Sequence, residues 1–189
     1  IDDIIKITSH LPKKRQTLMF SATMAPKIRA LANKLLVKPE QINIALAKPA
    51  EGVTQGAYLV YDGQKNRLIK DLLKGKELTS VIIFVSTKSK VKDLERDLIK
   101  ADLKAKAIHS DLDQTERERV LREFRNKQLQ ILVATDILSR GIDIEDIGLV
   151  INYDVPGDPA DYVHRVGRTA RAASTGVALT FINEWDQYS

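Results

Sequence analysis

The feature that most constrains this chain is a rhythm. Short, wholly apolar runs alternate with longer segments whose apolar residues recur every three or four positions. Val81 to Val85 (VIIFV) is apolar at five consecutive positions, which suits a strand covered on both faces and not one with a wet side. Strands of that kind separated by amphipathic segments are βαβ units. The pattern therefore predicts an α/β fold of three layers, αβα, around a mostly parallel sheet.

Taken along the chain, the opening IDDIIKI reads as helix, Arg15 to Ala22 as a strand, and the segment from Pro26 as a helix burying Ile28, Leu31, Ala32 and Leu35. A second strand-like run, QINIA, ends at Ala45. The segment LAKPAEGVTQG, with Pro49, Gly52 and Gly56, has linker composition, and a boundary is placed near residues 47–53. Beyond it the pattern gives a strand at AYLVY, a helix capped by Asp62 with Leu68, Ile69, Leu72 and Leu73 inward, and the strand VIIFV. Ser86 and Thr87 lead into a helix with Val91, Leu94 and Leu98 buried. AKAIHS, LQILVA and LVINYDV follow as strands. Asp113 and Glu116 form a capping box before a helix bearing Val120, Leu121 and Phe124, Asp158 with Pro159 opens another helix, and GVALTFI closes the sheet.

With no cysteine there is no disulfide framework, thiolate nucleophile or Cys-ligated zinc, which fits a reducing, cytoplasmic setting. No apolar run reaches the length of a membrane span. The net charge of +5 is compatible with a polyanionic partner, and ten aromatic residues are too few for a base-stacking platform, so any nucleic-acid contact should favour the backbone. The first residue is Ile1, and the chain is expected to be a piece of something longer.

Ligands of open α/β sheets collect outside the carboxyl ends of the strands. Four segments there carry chemistry. FSATM offers Ser21 and Thr23, which can equally cap the next helix. FVSTKSK places Ser86, Thr87 and Lys88 where a helix N-terminus favours phosphate, or where a cap is followed by solvated lysines. VATDILSRGIDI gathers Thr135, Asp136, Arg140, Gly141 and Asp143, although Asp136 and Arg140 also suit a local ion pair. HRVGRTAR puts Asp161, His164, Arg165 and Arg168 on one helix face, with Tyr162, Val163 and Val166 toward the core. Arg168 and Arg171 lie three apart, as forked donors for one anion. No G-x-x-x-x-G-K-[ST] loop and no acidic strand-end motif for Mg²⁺ is present, so the chain supplies at most half of a nucleotide site. His10, His109 and His164 are scattered, with no metal or Ser-His-Asp spacing.

Read in order, SATM at 21–24, VIIFVSTK at 81–88, QTER at 114–117, VATDILSRGID at 133–143 and HRVGRTAR at 164–171 resemble the C-terminal half of a DEAD-box ATP-dependent RNA helicase. LPKKRQTLMFSATM and VINYDVPGDPADYVHRVGRTARA are similar to the bacterial RhlE-like branch. The resemblance implies two RecA-like domains with ATP and RNA between them. Residues 1–46 would then be the tail of the first domain, 47–53 the linker, and 54–189 the second domain. The phosphate loop and the Mg²⁺ ligands would lie upstream, so the fragment alone would lack ATPase activity.

By the same resemblance, Arg168 and Arg171 would reach the ATP phosphates, with Arg171 as the finger, Asp143 would lie near the ribose, and Gly141 at the nucleotide or RNA. His164 would link across to Ser21 and Thr23 of the first domain. Thr87, Arg117 and Thr135 would touch the RNA backbone without reading sequence, and Arg140 would organise its loop. Ala170 stands where the family more often has Gly. Cut from their own domain, residues 1–45 would dock on the second domain or on another copy, giving a dimer. A DNA-translocating helicase and a non-enzymatic binding module are the alternatives.

Overall fold

A computed structural model of the chain describes residues 1–21, 24, 26–43, 52–76, 80–136, 144, 147–169 and 176–186. It divides into two compact units, Ile1–Leu46 and Ala47–Ser189.

In the first unit, helices α1 (Asp2–Ser9) and α2 (Pro26–Leu35) form where the apolar spacing places them. Helix α2 buries Leu31 and Ala32, with Ile28 and Leu35 half-buried. The strand expected over Arg15 to Ala22 is not formed by its described residues, and Phe20 is 91% exposed. Residues 41–43 of QINIA are likewise irregular. A strand exists only as one member of a ladder, and the described residues of this unit contain no second strand to pair with.

The second unit contains a six-stranded sheet of β1 (Val53–Leu59), β2 (Val81–Phe84), β3 (Ala105–Ile108), β4 (Ile131–Ala134), β5 (Leu149–Asn152) and β6 (Gly176–Ile182). Their order is β1-β6-β5-β2-β4-β3, and every pairing is parallel. GVALTFI therefore does not close the sheet, because β1 lies outside it. The chain segment assigned to the linker also ends sooner than its composition implies. Val53 already pairs with Gly176, and Gly56 sits mid-strand opposite Leu179. A Cβ on Gly56 would approach Leu179 Cδ2 to 3.2 Å, so this glycine serves close packing and not flexibility.

Alternate residues of the strands feed two cores. Val81, Ile83, Val133, Ile151 and Phe181 pack with Ile69 and Leu73 of α3 (Lys65–Leu73) and with Val91, Leu94 and Leu98 of α4 (Lys88–Ile99). Ile82, Phe84, Leu132 and Val150 pack on the other face with Val120, Leu121 and Phe124 of α5 (Gln114–Arg125). Helices α3 and α4 connect strands in one direction across the sheet, while α5 and α6 (Pro159–Val166) return in the other. Crossovers of a single hand require that the two pairs occupy opposite faces. Strand β3 is an edge of the sheet, and its Ala107 N–H donates to Glu95 of α4 at 3.1 Å, satisfying one donor that an edge strand would otherwise present.

Asp62 is not a helix cap. A 3₁₀ turn (Asp62–Gln64) precedes α3, and the Asp62 carboxylate instead holds the ammonium of Lys65 at 2.7 Å and accepts from Asn183 at 3.1 Å. The Lys65 side chain is fully buried, lying 5.1 Å from the centre of the Tyr153 ring.

Candidate nucleic-acid and nucleotide interface

Because all six strands run the same way, the segments that leave β2, β3, β4 and β5 emerge along one edge of the sheet. Thr87 follows β2 and caps α4, its hydroxyl accepting from Lys90 N at 3.3 Å. Arg117 lies in the first turn of α5, which opens with the expected capping box: Asp113 accepts from Glu116 N at 2.7 Å, and Glu116 accepts from Asp113 N at 3.4 Å. Thr135 follows β4 directly. Since β2, β4 and β3 are neighbours, the topology collects Thr87, Thr135 and Arg117 on one stretch of edge. Arg117 Nε and Thr135 Oγ1 are buried and have no hydrogen-bond partner, a costly state that a bound acceptor or donor would relieve.

Lys88 and Lys92 of α4 meet Asp111 at 2.7 and 3.2 Å. Their hydrogen bonds hold the Asp111 carboxyl down at about 2.

Helix α6 carries the other group of candidates. Asp158 caps it, accepting from Ala160 N at 2.8 Å, with Pro159 at its first position. The helix leaves the same edge and descends to the far end of β5. There Arg168 O accepts from Ile147 N at 3.3 Å, and Thr169 forms a bridge with Ile147. Arg168 is thus set apart from Thr87 and Thr135 by the height of the sheet. His164, half-buried between the two ends, has a buried Nδ1 without a partner. Thr23, Arg140, Gly141, Asp143 and Arg171 lie outside the described residues, while Ser21 is described within the first unit and is exposed.

Helix α6 is not turned as its spacing implied. Arg165, placed on the solvated face by that spacing, is 2% exposed, whereas Val163 is only half-buried. The Arg165 guanidinium donates to Asp136 Oδ1 from Nε at 2.8 Å and approaches the same oxygen with Nη2 at 2.7 Å. Its Nη1 donates to Asn152 Oδ1 at 3.2 Å and to the Asp154 carbonyl at 3.1 Å. The guanidinium also lies 5.2 Å from the centre of the Phe84 ring. Asp154, just past β5, accepts from Ser86 N at 2.8 Å and from Lys90 Nζ at 3.1 Å. Burial pushes its carboxyl up, but the Ser86 and Lys90 donors hold it below the ordinary carboxylate range. The sequence reading gives Asp154 no role and puts Arg165 on the solvated face of its helix. The available signal is a carboxylate two residues past the end of the buried strand LVIN.

Among the described residues, no group of three or more His, Asp or Glu is placed to hold a metal ion.

Comparison with known proteins gives a consistent picture. Residues 64–173 match the helicase conserved C-terminal domain. The chain is 44% identical over 187 residues to DEAD-box ATP-dependent RNA helicase 14 of Arabidopsis thaliana, covering 97% of this chain and 30% of that protein. It is 42% identical over 183 residues to DEAD-box ATP-dependent RNA helicase CshA of Geobacillus kaustophilus, covering 96% of this chain and 39% of that one. The solved structure of S. cerevisiae Dbp5 bound to RNA and ADP BeF3 matches with a TM-score of 0.85 at 31% identity, over 99% of this chain and 50% of that chain. The chain thus spans about a third of these curated relatives and half of the solved one. An all-parallel six-stranded sheet, two threonines and an arginine on one edge, and a matching domain model lead to one assignment: the chain belongs to the helicase conserved C-terminal domain family, as the RecA-like C-terminal domain of a DEAD-box protein.

Proposed function

We propose that this chain is the C-terminal part of an ATP-dependent RNA helicase, supplying one half of an RNA track and the arginine-bearing half of an ATPase site. The observation that carries the reading is the edge formed by Thr87, Thr135 and Arg117, with buried, partnerless Arg117 Nε and Thr135 Oγ1 and with Lys88 directly after Thr87. Hydroxyl, guanidinium and ammonium groups suit phosphate oxygens, and contacts of that kind position a strand without reading its bases.

In this reading residues 1–46 are the tail of a first RecA-like domain and 54–189 the second. The exposed Ile4, Ile7, Leu18 and Phe20 are surfaces that the rest of such a domain would cover. A dimer through residues 1–45 is not required. The similarity of LPKKRQTLMFSATM to the RhlE-like branch is a finer placement that rests on those residues alone.

Bound ATP would supply the phosphoryl chemistry, with Mg²⁺ held by ligands outside this chain. The contribution of this chain is charge and positioning. Arg168 and Arg171 would neutralise phosphate oxygens, Asp143 would receive the ribose, and the partnerless Nδ1 of His164 suits a contact made only when two domains close. An arginine supplied across a cleft is worth about 10³ to 10⁵ in rate. A cleft that shuts on ATP and RNA together, and reopens after hydrolysis, gives local duplex unwinding.

The test is RNA-stimulated ATP hydrolysis by the longer protein, wild type against Arg171→Ala, with ATP binding measured alongside. A loss of about a hundredfold or more in turnover with ATP still bound is expected. Unchanged turnover would reduce the arginines to a solvated surface and leave only a binding module. The 189-residue chain alone should show negligible hydrolysis, and preference for RNA over DNA of one sequence separates the two helicase classes.

A further inference from the structure

Resting on the function proposed above, we infer that Asp154 and Arg165 are positioning residues: with Asp136 they form a tie of hydrogen bonds and one ion pair, centred on the buried Arg165 guanidinium, that sets the RNA-facing Thr87 and Thr135 against helix α6, the carrier of His164 and Arg168. The tie occupies a particular place in the topology. Strands β2 and β5 are neighbours, but the chain leaves β2 for α4 on one face and leaves β5 for α6 on the other, the face of Phe84 that Arg165 covers. Such a divergence opens a crevice at the carboxyl ends of an α/β sheet. Here Asp154 closes it, taking the Ser86 amide at 2.8 Å and thereby fixing the residue next to Thr87.

From Asp154 the connection runs inward. Its carbonyl accepts from Arg165, and Arg165 grips Asp136, the neighbour of Thr135, through Nε and Nη2. The Thr135 loop is therefore bonded directly to the Arg165 guanidinium through Asp136, and the Thr87 loop is bonded to it through Asp154, each within one residue of the proposed contact. That guanidinium follows His164 by one position and precedes Arg168 by three. The other charges facing Asp154 are Lys90 at 3.1 Å and Lys65 at 3.5 Å, and Asp62 in turn pairs with Lys65.

Burying an ion pair is a poor way to gain stability over an apolar contact of equal volume, because desolvation consumes most of the Coulombic gain. What the charged arrangement supplies is direction, since each bond holds only in one relative placement of the two loops and α6. Loops held this way cannot move independently of the helix, which is what coupling between an RNA edge and a nucleotide-side helix requires.

The experiment is a double-mutant cycle in the longer protein, read as RNA affinity. Asp154→Asn keeps the volume and removes the charge. On its own it should weaken RNA binding about tenfold, and in a Thr87→Ala background less than about twofold, because the threonine it positions is already gone. At saturating RNA it should also lower the stimulated kcat severalfold while leaving KM for ATP without RNA unchanged. Asp136→Asn, on a half-exposed side chain, repeats the cycle against Thr135→Ala and serves if Asp154→Asn does not fold. Equal fold-losses in both backgrounds of each cycle, the behaviour of a general structural defect, would overturn the tie. Wild-type protein that binds no RNA would overturn the function beneath it, a separately visible result.

Discussion

Replacing Arg165 by Met keeps an unbranched apolar stem and removes the guanidinium from a site where its side chain is 3% exposed. Two consequences set the magnitude. The paired contacts to Asp136 are lost, but that carboxylate is 46% exposed and returns to water, so this loss is discounted to about 1 kcal/mol. Asn152 Oδ1 and the Asp154 carbonyl are left without this donor, and Asn152 is fully buried. An orphaned buried acceptor costs about 1–3 kcal/mol, while the extra apolar contact of Met with Phe84 offsets about 1 kcal/mol. The net is about 3 kcal/mol, near the lower end of the range for removing one partner of a buried pair. For a unit of this size that lowers the midpoint by roughly 6–12 °C. The assay is urea and thermal unfolding of the 189-residue chain followed by far-UV circular dichroism. A change below about 1 kcal/mol would show that water reaches the guanidinium, and would refute the reasoning from burial.

Three further outcomes can be checked on the same chain. Asp113→Ala removes the capping box of α5 and should cost about 1 kcal/mol, with faster hydrogen exchange at the Glu116 and Arg117 amides. The Asp111 carboxyl, held by Lys88 and Lys92 at about 2 against an ordinary 3.8, is depressed in the folded state, so its contribution is whole above about 3.8 and disappears as pH falls toward about 2. Over that window the thermal midpoint of wild type should fall more steeply than that of Asp111→Asn, and parallel curves would count against the pairing. Arg117→Ala should weaken RNA binding equally across sequences and reduce the slope of log affinity against log salt by about 0.7, as the loss of one phosphate contact to a single strand requires. Sequence-selective weakening would mean that Arg117 reads bases.

Most elements of the second unit were legible because they follow from short-range physics. VIIFV reads as an interior strand on its apolar run alone, and Asp113 with Glu116 and Asp158 with Pro159 mark helix starts through side-chain and backbone groups only a few residues apart. TLMFSA shows the limit of this reasoning. Its composition is that of a strand, but a strand needs a partner that local sequence cannot supply, and residues 15–21 remain irregular with Phe20 in solvent. Gly56 erred the other way, since a glycine that signals a linker in isolation lies within β1, where an added Cβ would crowd the Leu179 side chain at 3.2 Å.

The candidate site divides along the same line. Thr87 and Thr135 stand out because each follows a recognisable strand, and Arg117 is reached only through the QTER resemblance; a parallel sheet then brings all three positions to one edge. The helical wheel that put Arg165 among solvated residues treats every arginine as polar surface. In the folded chain Asp136 after β4 and Asn152 with Asp154 at the end of β5, brought from two separate segments, provide enough acceptors to take its charge out of water. Lys65 is buried for the same reason, by Asp62, Asp154 and the Tyr153 ring. By itself, then, the sequence determined the parallel α/β architecture, the caps and the positions of the motif residues, because periodicity and capping act over a few residues. Only the tertiary structure decided which charged side chains lie inside and which loops are bound to α6, because the free energy of a buried charge depends also on partners as far as 11 to 89 residues away in the chain.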